Sequence, residues 1–111
     1  MSEKGNKLEL EKGFNNKCGI TLSDSVEARV ISDIMREKPG VTITEYPAMI
    51  RIDGIGRLEF DMQEISEALG RDFDAYLFQV EMSTHYGRMV NLDDKVILFA
   101  NPEEAREYIG F

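Results

Sequence analysis

Val41-Thr-Ile-Thr-Glu45, Tyr46-Pro-Ala48, Met49-Ile-Arg-Ile-Asp53, Gly54-Ile-Gly56 and Arg57-Leu-Glu-Phe60 follow one another without a gap. Their reading decides the fold. The first piece alternates β-branched and polar residues at period 2, the mark of a half-buried strand. Tyr46-Pro-Ala48 interrupts it, because proline gives up a ladder donor, and an edge kink or bulge is expected there. The next two strands flank Gly54-Ile-Gly56, a three-residue turn, and so predict a hairpin.

Upstream, Cys18-Gly-Ile-Thr-Leu22 is a short extended segment, and Ser23-Asp-Ser25 supplies N-cap candidates. The helix Val26 to Glu37 follows, with Val26, Val30, Ile31, Ile34 and Met35 as its apolar face, ended by Pro39-Gly40. Downstream, Asp61 with Glu64 three positions later resembles a capping box. It opens a helix carrying Met62, Ile65, Ala68 and Leu69, stopped by Gly70. Arg71 to Ala75 is turn-like or a single helical turn. Tyr76-Leu-Phe-Gln-Val-Glu-Met82 is expected as a strand, and Ser83-Thr-His-Tyr86 as the loop leaving it. Arg88–Leu92 and Lys95–Ala100 form a second expected hairpin around Asp93-Asp94. Asn101 as N-cap and Pro102 at the first position start a final helix to Tyr108, with Glu103 and Glu104 favourable at its positive end. Strands in adjacent antiparallel pairs separated by helices specify an α+β domain of short strand pairs packed with two to three helices.

Met1 to Lys17 is mostly Ser, Glu, Lys, Gly and Asn and holds no useful stripe. A disordered N-terminal tail over 1–17 is expected, with the α+β domain spanning 18–111. A chain of 111 residues suits one domain. It has no apolar run near the roughly 18 residues that cross a bilayer, and no signal-peptide core. The lone cysteine fits a reducing cytoplasm. Thirteen Lys and Arg against 21 Asp and Glu give a formal charge of −8, which opposes nucleic acid and anionic membrane surfaces. The acidity either keeps the protein soluble or steers it toward a basic groove on a protein partner. The free protein is expected to be a monomer.

Few groups are available for chemistry. Cys18 and His85 are the only residues of their types, too few for a zinc site and without a pattern for a thiolate dyad. Asp93-Asp94 lacks the alternating oxygen ligands of a calcium loop. Gly54-Ile-Gly56 has no third glycine and no following helix, so it is not a dinucleotide fingerprint. Glu64 and Glu67 fit an exposed, solubilising helix face. The residues therefore point to a protein that acts through a partner and without a metal or cofactor. Met82-Ser-Thr-His-Tyr-Gly87 is the segment that stands out, because binding residues favour loops on a rigid scaffold. A cysteine-dependent enzyme and an acidic adaptor for some unrelated partner are the competing readings.

Tyr46-Pro-Ala-Met-Ile-Arg-Ile52, Gly56-Arg-Leu-Glu59, Glu67-Ala-Leu-Gly-Arg71 and Gly87-Arg88, in that order and spacing, resemble the effector proteins of soluble bacterial diiron monooxygenases. These coupling or regulatory proteins serve methane, phenol, toluene and alkene hydroxylases. Pro-Ala-Met-Ile-Arg-Ile is most similar to the phenol hydroxylase branch, and Asp61 to Arg71 and Gly87-Arg88 also resemble the methane branch. The resemblance implies a compact α+β fold with no prosthetic group and no catalysis of its own. It implies docking onto the hydroxylase over the helices that carry the diiron ligands, which couples reductant use to oxygen activation. By position, the small hydroxyl residues that face the hydroxylase match Ser83, Thr84 and His85. The implied partner interface is Ser83, Thr84, His85, Tyr86 and Gly87, with His85 and Tyr86 larger than the methane branch has there.

Overall fold

The computed structural model describes residues 16–109. The chain runs β1 (Lys17–Ser23), α1 (Val26–Arg36), β2 (Thr42–Tyr46), β3 (Met49–Ile55), β4 (Arg57–Asp61), α2 (Met62–Leu69), α3 (Ala75–Glu81), β5 (Met82–Tyr86), β6 (Arg88–Asn91), β7 (Lys95–Phe99) and α4 (Pro102–Ile109). The strands form two antiparallel sheets. Sheet A has the order β2-β3-β1-β5, and sheet B the order β4-β7-β6. Most of the expected tail, residues 1–15, lies outside the described residues. Lys17 already pairs with Ile55 as the first residue of β1, so the folded part begins one residue earlier than expected.

The helix ends are set by side chains. Ser25 Oγ accepts from Ala28 N at 3.0 Å, and Asp61 Oδ1 accepts from Gln63 N and Glu64 N at 2.9 and 3.1 Å. Gly70 closes α2 in the left-handed region at φ 78°, where glycine meets no steric penalty. Asn101 Oδ1 accepts from Glu103 N at 2.9 Å and starts α4.

The main core lies between the sheets and under three helices. Cys18, Ile20 and Leu22 from β1 and Ile50 and Ile52 from β3 point into it. Ala28, Ile31 and Met35 of α1, Leu58 and Phe60 of β4, Met62 and Ile65 of α2, Phe73 between α2 and α3, and Val96 and Leu98 of β7 join it. Phe78 of α3 packs against Phe60 with ring centroids 4.8 Å apart and the rings tilted by 46°. A second cluster of Val90, Ile97, Phe99 and Ala105 sits on the other side of sheet B, under α4.

Five expectations are corrected. Met49–Asp53 and Arg57–Phe60 are not a hairpin, because β3 and β4 belong to different sheets. At Gly56 the chain leaves sheet A with φ 82°. Its N–H donates to Asn16 O at 2.8 Å and its carbonyl accepts from Ala100 N at 2.9 Å, so the glycine joins the two sheets. Pro47-Ala48 is neither kink nor bulge but the two-residue turn of the β2–β3 hairpin, closed by Tyr46 opposite Met49. Tyr76–Met82 is mostly helix α3, capped by Asp74, whose side chain accepts from Leu77 N at 2.9 Å. That makes four helices among the described residues. Ser83–Tyr86 is not a loop but strand β5, paired with β1. Val26 and Ala68 leave their expected apolar faces and are exposed, Val26 at 70%.

Candidate functional site

The strands of sheet A alternate. Cys18, Ile20, Leu22, Ile50 and Ile52 face the core, so their neighbours in sequence face outward. The outward set is Thr42, Thr44 and Tyr46 on β2, Met49, Arg51, Asp53 and Ile55 on β3, and Lys17, Gly19, Thr21 and Ser23 on β1. On β5, Thr84 stands opposite Thr21 and Tyr86 opposite Gly19. The register slips between Thr21 and Leu22, and the extra residue, Ser83, brings its hydroxyl to 3.3 Å from that of Ser23. Among the described residues no helix covers this face.

Its surface chemistry is distinctive. Threonine and serine hydroxyls dominate, with Tyr46, Met49 and Ile55 exposed at its two ends. Asp53 is the one acid of the described chain that points onto it. Its Oδ1 accepts from the Tyr86 hydroxyl at 2.6 Å and from Arg51 Nη2 at 2.9 Å. Burial, followed by that carboxylate, pushes the Tyr86 phenol up to about 12, and the same carboxylate holds the Arg51 guanidinium above its ordinary value. Beside this network a cleft of about 330 Å³ is lined by Lys17, Thr42, Arg51, Asp53, Ile55 and Tyr86, among others. Gly19 lets the network form. A Cβ there would stand 2.7 Å from Tyr86 Cε1 and would strike Asp53 Oδ1.

The five residues singled out in the sequence are therefore divided. Ser83, Thr84 and Tyr86 meet on the open face, along its β5 margin. His85 stands opposite Ile20 and points to the other side, where it is exposed. Gly87 serves the backbone: with φ 109° it carries the chain from β5 in sheet A to β6 in sheet B. A Cβ there would lie 2.8 Å from Phe99 O and 2.9 Å from Cys18 Cβ. Cys18 is fully buried, its Sγ donating to Leu98 O at 3.4 Å. Burial pushes its thiol up to about 11, so it is no nucleophile near pH 7. Among the described residues no group of three or more His, Cys, Asp or Glu is placed to hold a metal ion.

Sequence reasoning missed Thr21, Thr42, Thr44, Tyr46, Met49, Arg51 and Ile55. The signal for them was present. Two neighbouring strands that keep polar residues on every second position declare a sheet with one solvated face.

A sheet packed on one side and, among the described residues, bare on the other, with its lone cysteine buried in the core, defines a small α+β protein whose distinguishing feature is a surface. Residues 16–99 match the MmoB/DmpM family, and the chain belongs to it. The propane 2-monooxygenase effector component of Gordonia sp. (strain TY-5) is 58% identical over 98 residues, which cover 88% of each chain. The phenol 2-monooxygenase stimulatory component DmpM of Pseudomonas sp. (strain CF600) is 34% identical over 80 residues, 71% of this chain and 89% of that one. A chain in the solved phenol hydroxylase–regulatory protein complex superposes with a TM-score of 0.69 at 29% identity, over 77% of this chain and 99% of its own length. The protein is thus an effector component of a monooxygenase and not a catalytic subunit. Its residues agree more with the propane component than with the phenol component. None of its described helices is long and apolar enough to cross a membrane.

Proposed function

We propose that this protein docks the open face of sheet A onto the hydroxylase component of a multicomponent monooxygenase, with Ser83, Thr84 and Tyr86 along one margin of the contact. There it tunes the hydroxylase's diiron site and couples reductant use to oxygen activation. The 58% identity to a propane 2-monooxygenase effector component supports a short alkane as the substrate of the complex. The observation that carries the reading is the contrast between this face and the rest of the surface. The protein carries a formal charge of −8, yet the sheet face left bare among the described residues holds mostly hydroxyls with exposed Tyr46, Met49 and Ile55, and its charges are few: Asp53, paired with Arg51, and Lys17 at the end of β1. Interface cores are depleted of charge in the same way. A free monomer in the cytoplasm fits the lone buried thiol and the mutual repulsion of acidic copies.

The test is titration of the hydroxylase with Thr84→Arg and Thr42→Arg, beside the control Glu104→Arg on α4. Exposed substitutions change folding by only about 0.5 kcal/mol. The two face variants are expected to raise Kd at least ten-fold and to lower product per reductant, with melting unchanged, while the control binds as wild type. Face variants that bind normally would place the docking surface elsewhere.

A further inference from the structure

The bare face has a size as well as a composition. Four strands spaced about 4.8 Å apart, each some five to seven residues at about 3.3 Å, make a footprint on the order of 400 Å². A specific protein complex covers about 800 Å² on each partner. The flat outline of the sheet face is about half of that figure, which leaves room for further contact on a surface continuous with it. One such surface stands out. Tyr76 and Val80 of α3 are 73% and 62% exposed, and four-residue spacing sets them one above the other on the same side of the helix. α3 runs directly into β5 at Met82, so Val80 precedes Ser83, on the margin of the open face, by only three residues in the chain. Val26, 70% exposed, begins α1 next to Ser25, whose hydroxyl donates to Glu81 Oε1 at 2.6 Å at the end of α3.

Neither residue serves the helix itself. Tyr and Val are weaker helix formers than Ala, Glu or Lys, and at these exposures they pack on little. Acids flank the stripe along the chain: Asp72 and Asp74 before Tyr76, and Glu81 after Val80. An acidic rim opposes a second copy of this chain and an anionic membrane alike.

We propose that Tyr76 and Val80 form a second part of the hydroxylase contact and seat in an apolar groove on that protein rimmed by lysine or arginine. This rests on the docking reading above and adds to it the anchor and the chemistry of the groove. Tyr76 is the anchor, since a buried tyrosine often dominates an interface.

Tyr76→Ala and Val80→Ala replace both residues with the best helix former, so the fold should melt at the same temperature or slightly higher. The double variant is expected to raise Kd for the hydroxylase about thirty-fold, and wild-type affinity is expected to fall with added salt. Thr84→Arg, measured in parallel, separates the two claims. If the double variant binds as wild type while Thr84→Arg fails, the α3 contact is wrong and the sheet-face reading stands. If both bind normally, the sheet-face reading falls and takes this one with it. A lowered melting point in the double variant would make the stripe structural, self-association of the wild type through Tyr76 would make it a dimer surface, and affinity that rises with salt would exclude the basic rim.

Discussion

Tyr86 shows how one side chain ties the candidate face to the fold. Its ring covers Gly19, and its hydroxyl donates to a carboxylate that also holds Arg51. A hydrogen bond to a charged group contributes about 1.5–3 kcal/mol, so Tyr86→Phe is expected to lower stability by about 1–2 kcal/mol in chemical denaturation, Arg51 still satisfying Asp53. The sign of the pH dependence follows from the raised phenol. Its folded value of about 12 lies above the ordinary 10. The stabilisation is therefore complete below pH 10 and is lost as pH climbs through 12. Melting curves at pH 8, 10 and 12 should show the gap between wild type and Tyr86→Phe closing only at the top of that range. A gap that stays constant to pH 12 would mean that the hydroxyl bond does not set the phenol's titration. Gly19→Ala should be the more damaging change, because the added methyl group displaces Asp53 from Tyr86, and the loss should appear in the wild-type background but shrink in Tyr86→Phe. From the sequence, Ser83-Thr-His-Tyr86 stood out by composition alone. Which of its side chains share a face depends on pairing with β1, and no local pattern encodes that.

At the scale of elements, α3 is the clearest case of propensity overruled. Tyr76, Phe78 and Val80 are strand formers at period 2, yet Phe78 alone is buried while Tyr76 and Val80 are exposed. A strand would have put all three on one side. Asp74 decides the matter by capping Leu77 N, and Phe78 then reaches the core from a helix. Asp74→Ala removes that cap and is expected to destabilise the protein by about 1 kcal/mol, with amide exchange rising first in Ala75–Glu81. Uniform loss of protection across all elements would show that α3 unfolds only with the whole domain. The β3–β4 junction was misread for a related reason. Two strands around a glycine turn look alike whether they pair or part, and only the long-range partners, β1 for β3 and β7 for β4, separate the cases. Ser25, Asp61, Gly70 and Asn101 were legible because caps and turns act within a few residues.

On the scale of the whole molecule, the two sheets have opposite fates on their outer sides. Among the described residues nothing covers the outer face of sheet A, whereas sheet B carries α4, which the family match does not include, ending as it does at residue 99. β7 is apolar on both sides: Val96 and Leu98 face the main core, and Ile97 and Phe99 face α4. Phe99 packs on Tyr108 with ring centroids 5.5 Å apart, and Ala105 is fully buried. A chain ending after Asn101 would open Val90, Ile97 and Phe99 to water. Each such side chain is worth about 1.5–3 kcal/mol when fully buried. Uncovering one side of the three should therefore remove about 2–4 kcal/mol and lower Tm by on the order of 10 °C or more. Because the outer faces of two packed sheets point away from each other, the open face of sheet A should survive the truncation. At a temperature where the shortened protein remains folded by circular dichroism, its Kd for the hydroxylase should stay within about two-fold of the full chain's. An unchanged melting point would mean that α4 contributes little to the fold. A folded but non-binding truncation would bring α4 into the contact and refute the assignment of docking to sheet A and α3 alone.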